Sequence, residues 1–375
     1  MAHIKQRLLL AGGGHAQLSV LRALSVCETD IETILVTPSP YQIYSGMLPG
    51  WMAGLYALDE CRIDLRPLAA AAKVRLLAGQ VAAIQAEQQR VTLADGSQLE
   101  YDALSLDVGS DVDTSLLQAA GERLLPVKPL TEFIRRWPGI IEDAAQKKGY
   151  RLAIIGGGAA GVELVFAAQH AFASRGVDAT VVLVSSAHGL LPGHAEGVKR
   201  RVSRFLQQRG ITNHQAQAIA DEQGLQLATG EHIAADCIIG ATGARAPAWL
   251  AQTDLARDER GYVLVDAHHR SLSHAHVFAA GDVCTRNDIV MARSGVHAVF
   301  AGPVLAHNLL ASLSGQALQT YHPRRKSLYL LATGSKHAIA SWGAFSAQGD
   351  WVWRWKNWID RRFMRKHGVR GVSKE

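Results

Sequence analysis

Ile154-Ile155-Gly156-Gly157-Gly158-Ala159-Ala160-Gly161-Val162-Glu163 is the stretch on which the fold turns. An apolar run from Arg151 leads into the glycines, a helical pattern follows, and a second apolar run ends at Val184. Within that setting the spacing G-x-G-x-x-G has a physical reading. Gly156 permits the tight turn, Gly158 lets backbone approach a pyrophosphate, and Gly161 lets the helix pack on the strand. The helix N terminus at Ala159 and Ala160 then meets the phosphate charge.

The same grammar occurs earlier, from Arg7 to Val36, with Gly12, Gly13, Gly14 and His15 at the turn. The third glycine position there holds Gln17, which loosens the fit. Two such units imply parallel sheets with right-handed crossovers. Each is followed by alternating runs that read as hairpins, turning at Asp95-Gly96 and at Thr229-Gly230. The expected class is α/β: two interlocked Rossmann-like, three-layer dinucleotide-binding domains with small β-meanders. Ala69 to Ala72 reads as helix, and linkers are expected at 121–129 and 245–247.

Val277-Phe278-Ala279-Ala280-Gly281-Asp282 is an apolar strand ending in Gly-Asp, where the acid can accept a hydrogen bond from a polyol. Ile238-Ile239-Gly240-Ala241-Thr242-Gly243 ends in a glycine that lets a nucleotide approach. Asp107-Val108-Gly109-Ser110 takes the matching place in the first half.

Taken in order, Gly12–Gln17, Gly109, Gly156–Glu163, Ala241–Gly243 and Ala279–Asp282 resemble the two-dinucleotide flavoproteins of the pyridine nucleotide-disulfide oxidoreductase superfamily, over about residues 5 to 320. Tyr44 to Gly50, Ile63 to Leu68 and Gly302 to Ala306 are similar to the NADH-dehydrogenase-like domain found fused to selenide, water dikinase, and more distantly to type II NADH dehydrogenases. The resemblance implies FAD and NADH or NADPH as cofactors. It implies a split FAD-binding domain (1–125 and 250–320), an inserted NAD(P)H-binding domain (126–249) and a C-terminal interface or cap segment (321–375). For FAD it points to Gly12, Gly13, Gly14, His15, Thr37, Pro49, Val81, Gly109, Gly281 and Asp282. For NAD(P)H it points to Gly156, Gly158, Ala159, Ala160, Gly161, Glu163, Ser185 and Gly243. Met47-Leu48-Pro49 is expected to cover the flavin, and the helix beginning near Ser294 to aim its positive end at the ring.

Hydride should pass from nicotinamide to flavin and electrons onward to a quinone or similar acceptor. A soluble carrier, a selenium or sulfur compound, and a non-catalytic redox sensor are the alternatives. Glu163 either orients the nicotinamide or relays a proton; an acid simply suited to a helix's first turn is the equal alternative. Lys128, before Pro129, reads as a surface lysine, with approach to the flavin as the alternative.

The sequence departs from the pattern in places. Thr37 stands where an acid would hold the adenosine ribose, and could donate a weaker bond. Val184-Ser185-Ser186 stands where NADH enzymes carry Glu, which leaves NADH against NADPH open. Gly295 to Phe300 lacks the glutamines of the quinone motif. Cys27, Cys61, Cys237 and Cys284 include no CxxC or CxxxxC pair, which argues against disulfide reduction and a sulfide:quinone mechanism.

The 375 residues, 48% of them hydrophobic and 19% charged, suffice for two or three packed domains. The formal charge of +6 resides in the stretch from Trp351 to Glu375, so nucleic-acid binding is not expected. Trp351, Trp353 and Trp355 alternate as in a strand. Trp355, Trp358, Ile359 and Phe363 share a helical face opposite Arg and Lys. Two readings stand: an interfacial helix on anionic lipid, or a flap over the active site or a dimer partner. No signal peptide is read and no stretch is counted as spanning, so a cytoplasmic protein, or one peripheral on a membrane, is expected. His268, His269, His274 and His276 read as structural or solvated, and no metal is expected.

Overall fold

The structure, a computed structural model, describes residues 5–28, 30–324 and 326–368. Two five-stranded parallel sheets organise it. The first runs, edge to edge, Val277–Ala279, Ala103–Leu106, Gln6–Ala11, Ile31–Thr37 and Arg75–Ala78. The second runs Leu124–Pro126, Cys237–Gly240, Tyr150–Ile155, Ala179–Ser185 and Thr212–Gln215. The inner strands are short, aliphatic and largely buried on both faces, as parallel strands covered by helices must be, while the edge strands Arg75–Ala78 and Thr212–Gln215 are partly exposed. Both expected βαβ units are present, and strand order reverses beside each glycine turn. In open α/β sheets that reversal is where a crevice opens for ligands.

The strand Val277–Ala279 returns to the first sheet only after the second is complete, so the second module is inserted in the first. A ribbon pairing Asp111–Val112 with Ala244–Arg245 ties the two crossing segments together. The hairpins predicted at Asp95-Gly96 and Thr229-Gly230 form as antiparallel pairs. The helix at Leu65–Ala71 takes in most of the alanine run.

Helix α1 (His15–Val26) follows the first glycine turn and α2 (Ala159–Ala173) the second. Helix α3 (Gly295–Leu313) packs on α1 so closely that a Cβ at Gly302 would come within 2.6 Å of the Ser19 hydroxyl. By length and composition α3 is apolar enough to cross a membrane, contrary to the expectation that no stretch is. Its residues Ala298, Ala301, Leu305 and Leu309 are buried against the first module.

Helix α4 (Asp350–His367) contains all four tail tryptophans, so their expected strand alternation is not realised. Asp350 at its start and Arg365 and Lys366 at its end complement the helix dipole. Phe363 turns inward and stacks on Tyr44 at 4.5 Å, while Trp351, Trp355 and Trp358 face outward. Arg362 lies over Trp358, so aromatic and basic side chains share the outer face, which corrects the expected opposition. Arg370, Lys374 and Glu375 of the basic tail lie outside the described residues.

The first cradle has an internal anion. The buried Asp107 carboxylate accepts the α1 amides of Ala16 at 2.7 Å and Gln17 at 3.1 Å. Burial raises its pKa from 3.8 to about 7 against the pull of these two bonds, and the nearby Asp282 charge raises it further. Between those values the unfolded chain has released a proton that the folded one keeps, so Asp107 lowers stability as pH climbs from about 4 to about 7. Asp107→Asn keeps an acceptor oxygen and removes the titration. Thermal melts should show the variant gaining on the wild type between pH 5 and pH 8; a constant difference would contradict this.

Candidate functional site

The second cradle meets its expected geometry. Gly156 has φ +137°, and a Cβ there would lie 2.1 Å from the Ala241 carbonyl oxygen. A Cβ on Gly161 would lie 1.9 Å from the Gly156 oxygen, so the third glycine is what lets α2 rest on the turn. Gly158 opens on free space, and no side chain caps α2. The amides of Ala159 and Ala160 therefore head a helix whose N terminus is free for an anion. Gly243 also faces open space, with its carbonyl accepting from Asp113 N at 3.0 Å. Ser185 closes its strand fully buried, its Oγ without a partner.

The first cradle differs. A Cβ on Gly14 would strike the Asp107 carboxylate at 2.2 Å. Gln17, in the third-glycine position, is buried and donates to Ser105 O at 3.1 Å and Ser105 Oγ at 3.0 Å. Gly12, Gly13, Gly14 and His15 line the turn, with Gly281 and Asp282 across from Asp107. His15 is half-buried, its Nδ1 3.3 Å from Gln42 Nε2 and its buried Nε2 without a partner. Burial lowers its pKa to about 4, so the ring is neutral near pH 7. An orphaned buried nitrogen beside a glycine turn fits a site that a bound group completes. Thr37 donates its hydroxyl to Ser39 O at 3.1 Å, so the expected bond to an adenosine ribose is already taken by the chain itself. Val81 opens its strand in the adjoining meander, buried, and Gly109 has φ +77° in open space. Pro49 is buried at the start of the short helix Leu48–Met52, behind buried Met47.

Lys128 is not the surface lysine expected. Its ammonium donates to Asp282 Oδ2 at 3.0 Å and Ser110 Oγ at 2.9 Å, so a residue entering the second module pairs with the Gly-Asp acid of the first.

Glu163 is half-buried in the first turns of α2, where Oε1 accepts from Ala332 N at 2.8 Å. Burial raises its pKa to about 7; Lys356 and the Ala332 bond oppose the rise and Asp360 adds to it. Lys356 and Asp360 come from α4. The buried Lys356 donates to Asp360 Oδ2 at 2.8 Å and to Gly46 O at 2.6 Å, and Tyr44 donates to Asp360 Oδ1 at 3.1 Å. This group gathers both modules and α4. Removing one partner of a buried pair costs on the order of 3–5 kcal/mol, against about 0–1 for an exposed pair such as Arg361–Glu60.

Sequence reasoning missed Asp107, Lys356 and Asp360. An acid directly after the short, mostly apolar run Ala103–Leu106 was the signal for the first. A lysine and an acid four residues apart, on the face shared by Val352 and Phe363, was the signal for the others. The four cysteines are unpaired: Cys61 and Cys237 are buried, Cys284 is half-buried and Cys27 exposed. Of the clustered histidines, His269 Nδ1 lies 3.1 Å from Ala279 O and His276 Nε2 2.9 Å from Ala86 O.

Residues 7–302 match the pyridine nucleotide-disulphide oxidoreductase family. The chain is 27% identical over 294 residues to an NADH dehydrogenase-like protein of Mycobacterium tuberculosis, spanning 74% of this chain and 72% of that one. Its fold is similar to NDH2 of Plasmodium falciparum in complex with NADH (TM-score 0.78, 13% identity, 97% and 98% covered). It is equally similar to the sulfide:quinone oxidoreductase of Aquifex aeolicus (TM-score 0.78, 15% identity, 96% and 91% covered). With a glycine turn at the strand-order reversal of each module and a family match across most of its length, this chain belongs to the pyridine nucleotide-disulphide oxidoreductases and is an oxidoreductase that uses FAD and NAD(P)H.

Proposed function

We propose that this oxidoreductase takes electrons from NAD(P)H and delivers them to a quinone or similar two-electron acceptor at a membrane surface on which α4 rests. The observation that carries the reading is the two-sided character of α4. Its inner face holds Lys356, Asp360 and Phe363 against Tyr44, Gly46 and Glu163. Its outer face exposes Trp351, Trp355 and Trp358 among Arg354, Arg361, Arg362 and Arg365. The adjoining hairpin adds exposed Trp342 and Phe345, a cross-strand pair. Five exposed aromatics flanked by arginines suit the boundary between anionic headgroups and acyl chains. One helix thus links the cleft to a lipid phase, where an apolar acceptor is concentrated.

FAD, when bound, supplies the chemistry, accepting hydride from the nicotinamide and passing two electrons on. The chain's own residues hold and order the reactants. Gly156, Gly158, Ala159, Ala160 and Gly161 would cradle the nicotinamide nucleotide's pyrophosphate. Gly12, Gly13, Gly14, His15, Gly281 and Asp282 would hold FAD, with Lys128 neutralising the Asp282 charge beside it. Pro49 and Met47 would wall the ring, and the N terminus of α3 would favour negative charge on it. Reducing a quinone to a quinol also consumes a proton, and Glu163, poised near neutrality, can hold one.

Two measurements test this reading. If Glu163 supplies the proton, turnover should fall as pH rises through about 7. Glu163→Gln should flatten the profile and lower turnover about a hundredfold or more. A variant retaining the wild-type inflection would remove Glu163 from the role. Sedimentation with anionic vesicles should pull down the protein, less so in high salt and far less for a variant with Trp351, Trp355 and Trp358 changed to Ser. Equal pelleting of wild type and variant, or pelleting insensitive to lipid charge, would count against the membrane face.

A further inference from the structure

The two cradles end on small hydroxyl residues, and the two hydroxyls are in different states. Thr37 and Ser185 each close the strand next to a glycine turn, pairing in parallel with Gln6–Ala11 and Tyr150–Ile155 respectively. The Thr37 hydroxyl is spent on Ser39 O. Ser185 is 0% exposed, and its Oγ has no partner although it lies beside Gly157, where an added Cβ would meet the Ser185 Cβ at 2.7 Å.

The chain beyond Ser185 is held in a fixed course. Gly189 N donates to Ser186 O at 2.8 Å, Leu191 N to Gly157 O at 2.7 Å, and Gln215 Nε2 to Ala187 O at 2.9 Å. That course leaves Ser186, Ala187 and His188 exposed at the rim of the second cradle. No residue from 185 to 189 is acidic or is Lys or Arg. On the neighbouring strand His214 faces Glu231, Nδ1 to Oε2 at 3.1 Å.

In a Rossmann unit, a carboxylate at this strand end accepts from the ribose 2′-hydroxyl of NADH. It also repels the 2′-phosphate of NADPH, so it selects by rejection; an arginine nearby selects the other way by attraction. Neither element is present in this loop. Resting on the NAD(P)H-dependent reading above, we propose that the loop 185–189 makes the second cradle indifferent to the 2′-phosphate, so that NADPH and NADH serve alike. Ser185 is the specificity-determining position. The small Ser185 side chain, buried beside Gly157, brings no charge to the 2′ substituent, and the exposed Ser186 hydroxyl and His188 ring offer either form of it polar contacts at the rim.

The test is calorimetric titration of the FAD-loaded protein with NAD⁺ and with NADP⁺, which reads binding without turnover. The two dissociation constants should agree within about tenfold, a difference of about 1.4 kcal/mol. Ser185→Glu should then weaken NADP⁺ relative to NAD⁺ by about tenfold or more. Because position 185 is buried, Ser186→Glu, at an exposed position, provides a second reading in the same direction. A wild-type preference beyond about tenfold either way, or an unchanged ratio in both variants, overturns the proposal. A protein that keeps its flavin yet binds neither nucleotide would overturn the dinucleotide reading of the second cradle, and this inference with it.

Discussion

Everything in the second module rests on one close approach, that of the Gly161 Cα to the Gly156 carbonyl oxygen. With no room for a Cβ at either residue, α2 sits directly on the turn and points its N terminus into the crevice where strand order reverses. The position of Glu163 follows from that contact, because it is two residues further along the same helix. The first module reaches a similar arrangement by other means. Gln17 has a side chain where Gly161 has none, and that side chain is absorbed by bonds to Ser105. The helix amides that an incoming phosphate would meet are shared with the Asp107 carboxylate instead. Two cradles of one ancestry of form thus differ in charge: one is lined by an internal acid, the other is open.

The features legible in the sequence are those that local periodicity and turn chemistry encode. Apolar runs of strand length, glycines at the strand-to-helix turns and the Asp95-Gly96 and Thr229-Gly230 hairpins all lie within a few residues of the constraint they express, and the structure contains each of them. The contacts that complete the site join distant segments. Lys128 reaches Asp282, Asp107 reaches Ala16, and Lys356 reaches Gly46, and no periodicity in the chain registers such a pairing. Lys128 looked like a surface residue because a lone lysine before a proline usually is one. Its partner lies on the strand end that returns from beyond the inserted module. The tail was misread for a related reason: tryptophans at alternate positions satisfy a strand pattern, but a helix turns Phe363 inward onto Tyr44 and leaves Trp355 and Trp358 outside.

The buried charges show where the fold bears electrostatic cost. Asp107 and Glu163 are both held near neutrality by burial, each at the head of a cradle helix, and each is only partly compensated by backbone amides. Lys356 and Asp360 are buried too, and they compensate one another. Burying this much charge in a cleft is weak evidence for stability, since apolar residues would pack there at lower desolvation cost. Groups whose titration is moved toward neutral pH, one at the head of each cradle helix, point to a functional use for that cost.

Helix α4 connects these arguments. Tyr44, Gly46 and Glu60 on the first module and Glu163 on the second all face it, so its orientation is fixed by bonds to both halves rather than by apolar contact alone. A helix held so firmly on its inner side cannot rotate its tryptophans into the protein. Their exposure is therefore a consequence of the cleft's own bonding, because the residues four apart that satisfy the inner face, Lys356 and Asp360, leave Trp351, Trp355 and Trp358 on the opposite side. The aromatic surface and the buried ionic cluster are two faces of one constraint, and a change to either is felt at the other through the same five turns of helix.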